Sequence, residues 1–237
     1  VAGKPLIEHV MDKLVCAGFN DIVINVHHFA DMIEDWGQSA IMHSYSDKKL
    51  RISFSDERYG LLETGGGIAH AAALLTDNNP EQRFLVHNVD ILSNVDLAAF
   101  WEHASEADAV LLVSARTTSR YLIFDDDMHL VGWTNISTGE IRSPYESVHK
   151  TLASRAKDAL DIDKYHLRAF AGIHQIKTGL LQRMASMPCK FSIVDFYINI
   201  CTQADIRGYV QNDLRLMDVG KTDSLSRAEQ FIMLRQP

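Results

Sequence analysis

Apolar residues recur at helical spacing near the start of the chain, at Leu6, Ile7, Val10, Met11, Leu14 and Val15. The spacing predicts a helix over Pro5–Ala17, with proline suited to its start and Gly18 to its stop. Asp21–Val26 carries a short apolar run and reads as a buried strand. Phe29–Trp36 reads as a second, short helix. From Leu50 to Ser55, Leu50, Ile52 and Phe54 alternate with Arg51 and Ser53, the signature of a half-buried strand. Thr64–Leu75 predicts a helix, Arg83–Asn88 a strand, Val95–Ala104 a helix and Ala107–Ala115 a continuous apolar strand. This alternation implies an α/β fold, a doubly wound and mostly parallel central sheet of Rossmann-like type, in one domain over residues 1–237.

The rhythm changes after Ala115. Tyr121–Phe124 and Leu130–Trp133 flank Asp125-Asp126-Asp127 and read as a β-hairpin. Aspartate is a turn residue, so the acidic triplet is read as a solvated turn and not as a metal site. Asn135–Leu160 gives few signals and is read as a loop region. Leu167–Ile176 is a strand containing Gly172; Thr178–Met187 and Ile193–Gln203 are helices. Arg207–Gln211 and Leu214–Asp218 are short strands with a turn at Asn212-Asp213. Thr222–Leu234 closes the chain as a helix, with Thr222 or Asp223 as its N-cap.

Composition narrows the function classes. The 237 residues are 46% hydrophobic, enough for a full core. A net charge of −8 argues against a general nucleic-acid binder, while leaving room for a single nucleotide. No apolar run approaches a membrane span, and no secretory signal pattern is seen. Cys16, Cys189 and Cys201 are far apart and show no C-x-x-C spacing, which fits a reducing, cytoplasmic setting. The 11 histidines lack metal-ligand spacing.

The chemistry concentrates at Leu62-Glu63-Thr64-Gly65-Gly66-Gly67 and at Asn88-Val89-Asp90. Three glycines opening an Ala-rich helix admit phosphate, or close backbone approach to a base. The competing reading is a tight turn that packs a helix onto the sheet, with Thr64 as its cap. Asp90, at the carboxyl end of a strand, stands where α/β proteins often place a metal ligand. A strand-end turn or a helix cap is the alternative. Together the two motifs suggest a nucleoside triphosphate and Mg²⁺.

Five motifs in order carry a resemblance: Gly3-Lys4-Pro5-Leu6, the Glu63–Gly67 turn, Asn88-Val89-Asp90, Phe170-Ala171-Gly172-Ile173, and Asp218-Val219-Gly220-Lys221-Thr222. Across essentially its whole length the chain resembles sugar-1-phosphate nucleotidyltransferases. It is most similar to the N-acetylmuramate-1-phosphate uridylyltransferases and mannose-1-phosphate guanylyltransferases. The resemblance implies transfer of a nucleotidyl group from an NTP to a sugar 1-phosphate, with UTP favoured and GTP or CTP open. It implies Asp90 and Asp218 as catalytic Mg²⁺ ligands. It places Glu63, Thr64, Gly65, Gly66, Gly67 and Asn88 at the nucleotide, and Arg120, Gly172 and Lys221 on the sugar-phosphate side. The family's first strand and G-x-G-x-R loop are expected upstream of Val1.

Two other readings compete. A non-catalytic nucleotide- or sugar-binding module would share the fold, and a metal-dependent glycosyltransferase would read Asn88-Val89-Asp90 as a degenerate D-x-D motif. Asp218 at a second strand end favours the nucleotidyltransferase over the latter. A dehydrogenase is disfavoured because Gly65-Gly66-Gly67 is not a G-x-G-x-x-G turn after the first strand.

Overall fold

The computed structural model describes residues 1–76, 78–103, 106–153, 159–220 and 224–233. The first half of the chain runs α1 (Leu6–Cys16), β1 (Asp21–Val26), α2 (Ala30–His43), β2 (Arg51–Asp56), α3 (Glu63–His70), α4 (Ala72–Leu75), β3 (Arg83–His87), β4 (Ile91–Ser93), α5 (Leu97–Glu102) and β5 (Ala109–Ser114). The second half runs β6 (Arg120–Phe124), β7 (Leu130–Asn135), β8 (Glu140–Arg142), α6 (Glu146–Ala153), β9 (Asp161–Ile162), β10 (Tyr165–Lys177), α7 (Gly179–Met184), α8 (Ile193–Ile200), β11 (Ile206–Val210), β12 (Leu216–Asp218) and α9 (Leu225–Met233). Two compact units result, one from residues 1–10, 85–176 and 197–237, the other from 11–84 and 177–196. Among the described residues no helix is long and apolar enough to cross a membrane.

The larger unit is built on a sheet ordered β11-β5-β10-β6-β7-β8. β11 lies parallel to β5, and the pairings from β5 through β10, β6 and β7 to β8 are antiparallel. The fold is thus α/β with a mixed central sheet. All six residues of β5 are buried, as expected for a strand covered on both faces. The acidic triplet is a hairpin turn: Asp125 Oδ1 accepts from the backbone N–H groups of Asp127 and His129. The strands around Asn212-Asp213 do not pair with each other; β11 joins β5, while β12 joins β4.

The loop expected over Asn135–Leu160 contains β8 and α6. Val148 and Leu152, one helical turn apart, are buried beneath Tyr121, Ile123 and Leu167 in one cluster. Two apolar residues among polar ones gave too weak a period to read. The proposed N-cap at Thr222 or Asp223 lies outside the described residues.

In the smaller unit β1 and β2 pair in parallel from Asp21↔Arg51 to Val26↔Asp56. α2 continues well past Trp36, running through Gly37 to His43. Gly37 is needed there for contact: a Cβ would lie 2.6 Å from the Phe54 ring. The helix expected over Thr64–Leu75 is instead two, α3 and α4, divided at Ala71.

His174 is wholly buried on β10 of the larger unit. Its Nδ1 shares a 2.7 Å hydrogen bond with the Tyr197 hydroxyl, and its Nε2 has no partner among the described residues. Burial pushes its pKa down from 6.5 to about 3. The unfolded chain therefore takes up this proton at higher pH than the folded protein does. Stability falls as pH drops below about 6.5, by roughly 1.4 kcal/mol per pH unit for this one group, until the folded pKa near 3 is reached. Denaturant unfolding between pH 7.5 and 4.5 should show His174→Gln losing that much less stability per pH unit than wild type. Equal pH slopes would remove His174 from the account.

Candidate active site

The larger unit brings two of the expected carboxylates together through backbone pairing. β4 and β12 run antiparallel, with Asp218 opposite Ile91 and Met217 opposite Leu92. The Val219 N–H donates to the Asp90 carbonyl at 2.8 Å, which carries the pairing one residue beyond the strands. Leu92, Val219 and Ala228 are buried in one cluster, so the arms bearing the two aspartates are anchored in apolar contact.

Two residues beyond Asp218 stands Gly220. Its N–H donates to Asp218 Oδ1 at 2.8 Å. A Cβ at Gly220 would lie 3.0 Å from Asp218 Oδ1 and 3.2 Å from Asp90 Oδ2. Both carboxylates therefore face one point beside a residue with no side chain. Asp90 is half-buried and Asp218 exposed. Burial, followed by the charge of Asp218, pushes the Asp90 carboxyl above the ordinary carboxylate range. Two facing anions repel, and a cation between them relieves both the repulsion and the desolvation cost.

Asn88 and Gly172 adjoin this pair. The Asn88 N–H donates to the Gly172 carbonyl at 3.1 Å, and the Asn88 carbonyl accepts from Ile91. Gly172 has φ 71°, in the left-handed region, and the β10–β5 register shifts between Phe170 and His174. A Cβ at Gly172 would lie 3.0 Å from Asn88 Nδ2. The strand glycine thus marks a bulge that lets β10 approach the Asn88–Ile91 turn. Arg120 stands at the start of β6, exposed and without a side-chain partner among the described residues; no contact joins it to the carboxylates. Lys221 lies outside the described residues.

Arg116 and Gly220 were not singled out by sequence reasoning. Arg116 follows β5, and its Nη2 donates to the Phe170 carbonyl at 3.0 Å. The only sequence signal for Gly220 was its place in the Asp218–Thr222 motif. Arg116 gave none beyond its position after a wholly apolar strand.

The smaller unit holds Glu63, Thr64 and the three glycines on α3. The Gly65 and Gly66 N–H groups donate to the Phe191 carbonyl at 3.1 and 3.2 Å. A Cβ at Gly65 would meet the Phe191 ring at 2.4 Å; at Gly66, the Cys189 carbonyl oxygen at 2.4 Å; at Gly67, Glu57 Oε1 at 2.6 Å. The glycines are thus required for packing, and two of their N–H groups are already engaged within the protein. Glu57, another residue the sequence did not reveal, is buried and accepts from Asn25 Nδ2 at 2.5 Å and from Leu62 N at 3.4 Å. It thereby holds the turn into α3. Glu63 opens that turn at φ 63°, an uncommon conformation for a residue with a side chain, and is exposed beside Lys190. Thr64 is exposed within the helix and does not cap it.

The sequence profile of the family described as Nucleotidyl transferase matches residues 1–122. The chain belongs to this family. Among curated relatives, it is 41% identical over 128 residues to the N-acetylmuramate alpha-1-phosphate uridylyltransferase of Caulobacter vibrioides, covering 50% of this chain and 49% of that protein. A Gibberella zeae mannose-1-phosphate guanyltransferase is 26% identical over 192 residues, 79% of this chain and 45% of that protein. The chain spans about half the length of the curated relatives it matches. Among solved structures, HddC from Yersinia pseudotuberculosis complexed with GMP-PN aligns over 98% of this chain and 87% of its own, with TM-score 0.67 and 18% identity. The inositol-1-phosphate CTP transferase from T. maritima aligns over 98% and 84%, with TM-score 0.68 and 12% identity. At these identities the likeness is one of fold.

Gly66→Ala would drive a methyl group into a backbone carbonyl, which no side-chain rotation relieves. It should cost about 2–3 kcal/mol of stability. Gly60→Ala, with open space around its Cβ, should stay within about 0.5 kcal/mol. Denaturant unfolding of the two variants compares them; equal costs would contradict the packing role of the glycine run.

Proposed function

We propose that the protein transfers a nucleotidyl group from an NTP, with UTP favoured, to a sugar 1-phosphate, releasing pyrophosphate. The reading is carried by the convergence of Asp90 and Asp218 beside Gly220 in a chain of this family. The named activities of the uridylyltransferase and guanyltransferase relatives support the substrate class.

A sugar-phosphate oxygen is already an anionic nucleophile, so no strong general base is required. The main demands are to align two anions and to offset their charge. Two carboxylates, one of them with its anionic form disfavoured by burial, suit a hard divalent cation. Asp90 and Asp218 would hold Mg²⁺. When bound, the ion supplies charge neutralisation for phosphate oxygens. The backbone bond from Val219 to Asp90 and that from Gly220 to Asp218 fix the carboxylates before substrate arrives. Asn88, tied to the Gly172 bulge, presents an amide to the sugar or ribose beside them. In the smaller unit we assign Glu63 and Thr64, both exposed on a turn braced by Glu57 and Phe191, to base or ribose.

Pyrophosphate release over four NTPs and common hexose 1-phosphates tests the reaction. Turnover with at least one pair is expected; none with any pair contradicts the reading. Asp90→Asn and Asp218→Asn should each lower kcat about 10²-fold or more while leaving the fold intact. Asp126→Asn, in the hairpin turn, should keep wild-type turnover. Near-wild-type rates in both carboxylate variants would place the chemistry elsewhere.

A further inference from the structure

We propose that Arg116 holds a phosphate group of the substrate at the carboxylate pair, with the Phe170 carbonyl fixing its guanidinium in place. The inference rests on the nucleotidyl-transfer reading and adds a cationic side chain to it.

Arg120 has neither a carboxylate partner nor a backbone anchor for its side chain among the described residues, while several other arginines are neutralised by the protein itself. Arg58 meets Asp31, Glu34 and Asp56. Arg51 pairs with Asp21, Arg168 with Asp161, and Arg207 with Asp205. Arg116 is different. Its one hydrogen bond goes to a neutral backbone carbonyl, and no carboxylate among the described residues lies within ion-pair distance. A guanidinium has five N–H donors, so most of its capacity is open.

Its position follows from the fold. β5 ends at Ser114, opposite Ala169 on β10, and Arg116 reaches back to the Phe170 carbonyl. Phe170 begins the bulge whose Gly172 abuts Asn88 and Ile91, the residues flanking the Asp90 turn. Arg116 is exposed overall, yet burial around its head lowers its pKa, while Tyr121 and, less strongly, Asp218 act in the opposite direction. The guanidinium is therefore partly enclosed, anchored to the Phe170 carbonyl and bonded to no carboxylate among the described residues. Had it served only as a counter-ion, the stable arrangement would be a direct ion pair with the Asp218 carboxylate. A planar donor fork set apart from the acids instead suits a phosphate, whose oxygens can accept from the guanidinium on one side.

Calorimetric titration with inorganic pyrophosphate plus Mg²⁺ tests binding without turnover. Arg116→Ala and Arg116→Lys should each weaken binding at least tenfold, with thermal midpoints near wild type. The lysine variant keeps the charge but loses the fork, so it separates anion recognition from simple charge. In kinetics, a tenfold or larger rise in KM confined to the sugar phosphate assigns Arg116 to that monoester; a rise confined to the NTP assigns it to the polyphosphate. Wild-type pyrophosphate affinity in both variants, together with unchanged KM for both substrates, overturns the proposal. Turnover with unchanged KM values overturns it while leaving the transferase reading intact. Arg116-dependent pyrophosphate binding without turnover does the reverse.

Discussion

The candidate site depends on one short backbone pairing. β4 and β12 are only three residues each, yet their antiparallel register and the bond from Val219 to Asp90 hold two anions in a place they would otherwise leave. Buried Leu92 and Val219 anchor the arms, and the absence of a side chain at Gly220 leaves the space the carboxylates face. Side chains alone could not impose this. Exposed like charges separate when free to do so, and the strain of keeping them together is borne by hydrogen bonds and apolar burial several residues away.

The same logic governs the glycines. At Gly65, Gly66 and Gly67 the missing side chain serves packing against Phe191, Cys189 and Glu57. At Gly172 it permits a positive φ and a bulge beside Asn88. At Gly220 it leaves room for carboxylates. A glycine in a motif is thus not one signal but three, and only the neighbours distinguish them. The run that looked most like a phosphate cradle spends two of its N–H groups on Phe191.

Much of the fold was legible because strongly apolar runs such as Ala109–Ser114 leave no alternative to a buried strand. α6 was not, since only Val148 and Leu152 face the core within a polar segment. Nor was the partner of each late strand: Leu216–Asp218 and Ile206–Val210 are neighbours in sequence, but pairing is decided by distant residues on β4 and β5. At the candidate site, Asp90 and Asp218 were named from motif order, and the structure places both carboxylates beside Gly220. Arg116 was not named, because what sets it apart is a bond to Phe170, 54 residues away. Arg120, four residues on, offered the same charge in the sequence but has no such anchor.

The most direct measurement is anomalous diffraction from crystals grown with the nucleotide and Mn²⁺ in place of Mg²⁺. The account predicts one strong peak within coordination distance, roughly 2.1 Å, of a carboxylate oxygen from each of Asp90 and Asp218. With nucleotide bound, a metal held away from this pair, or a pair that remains without metal, would contradict it.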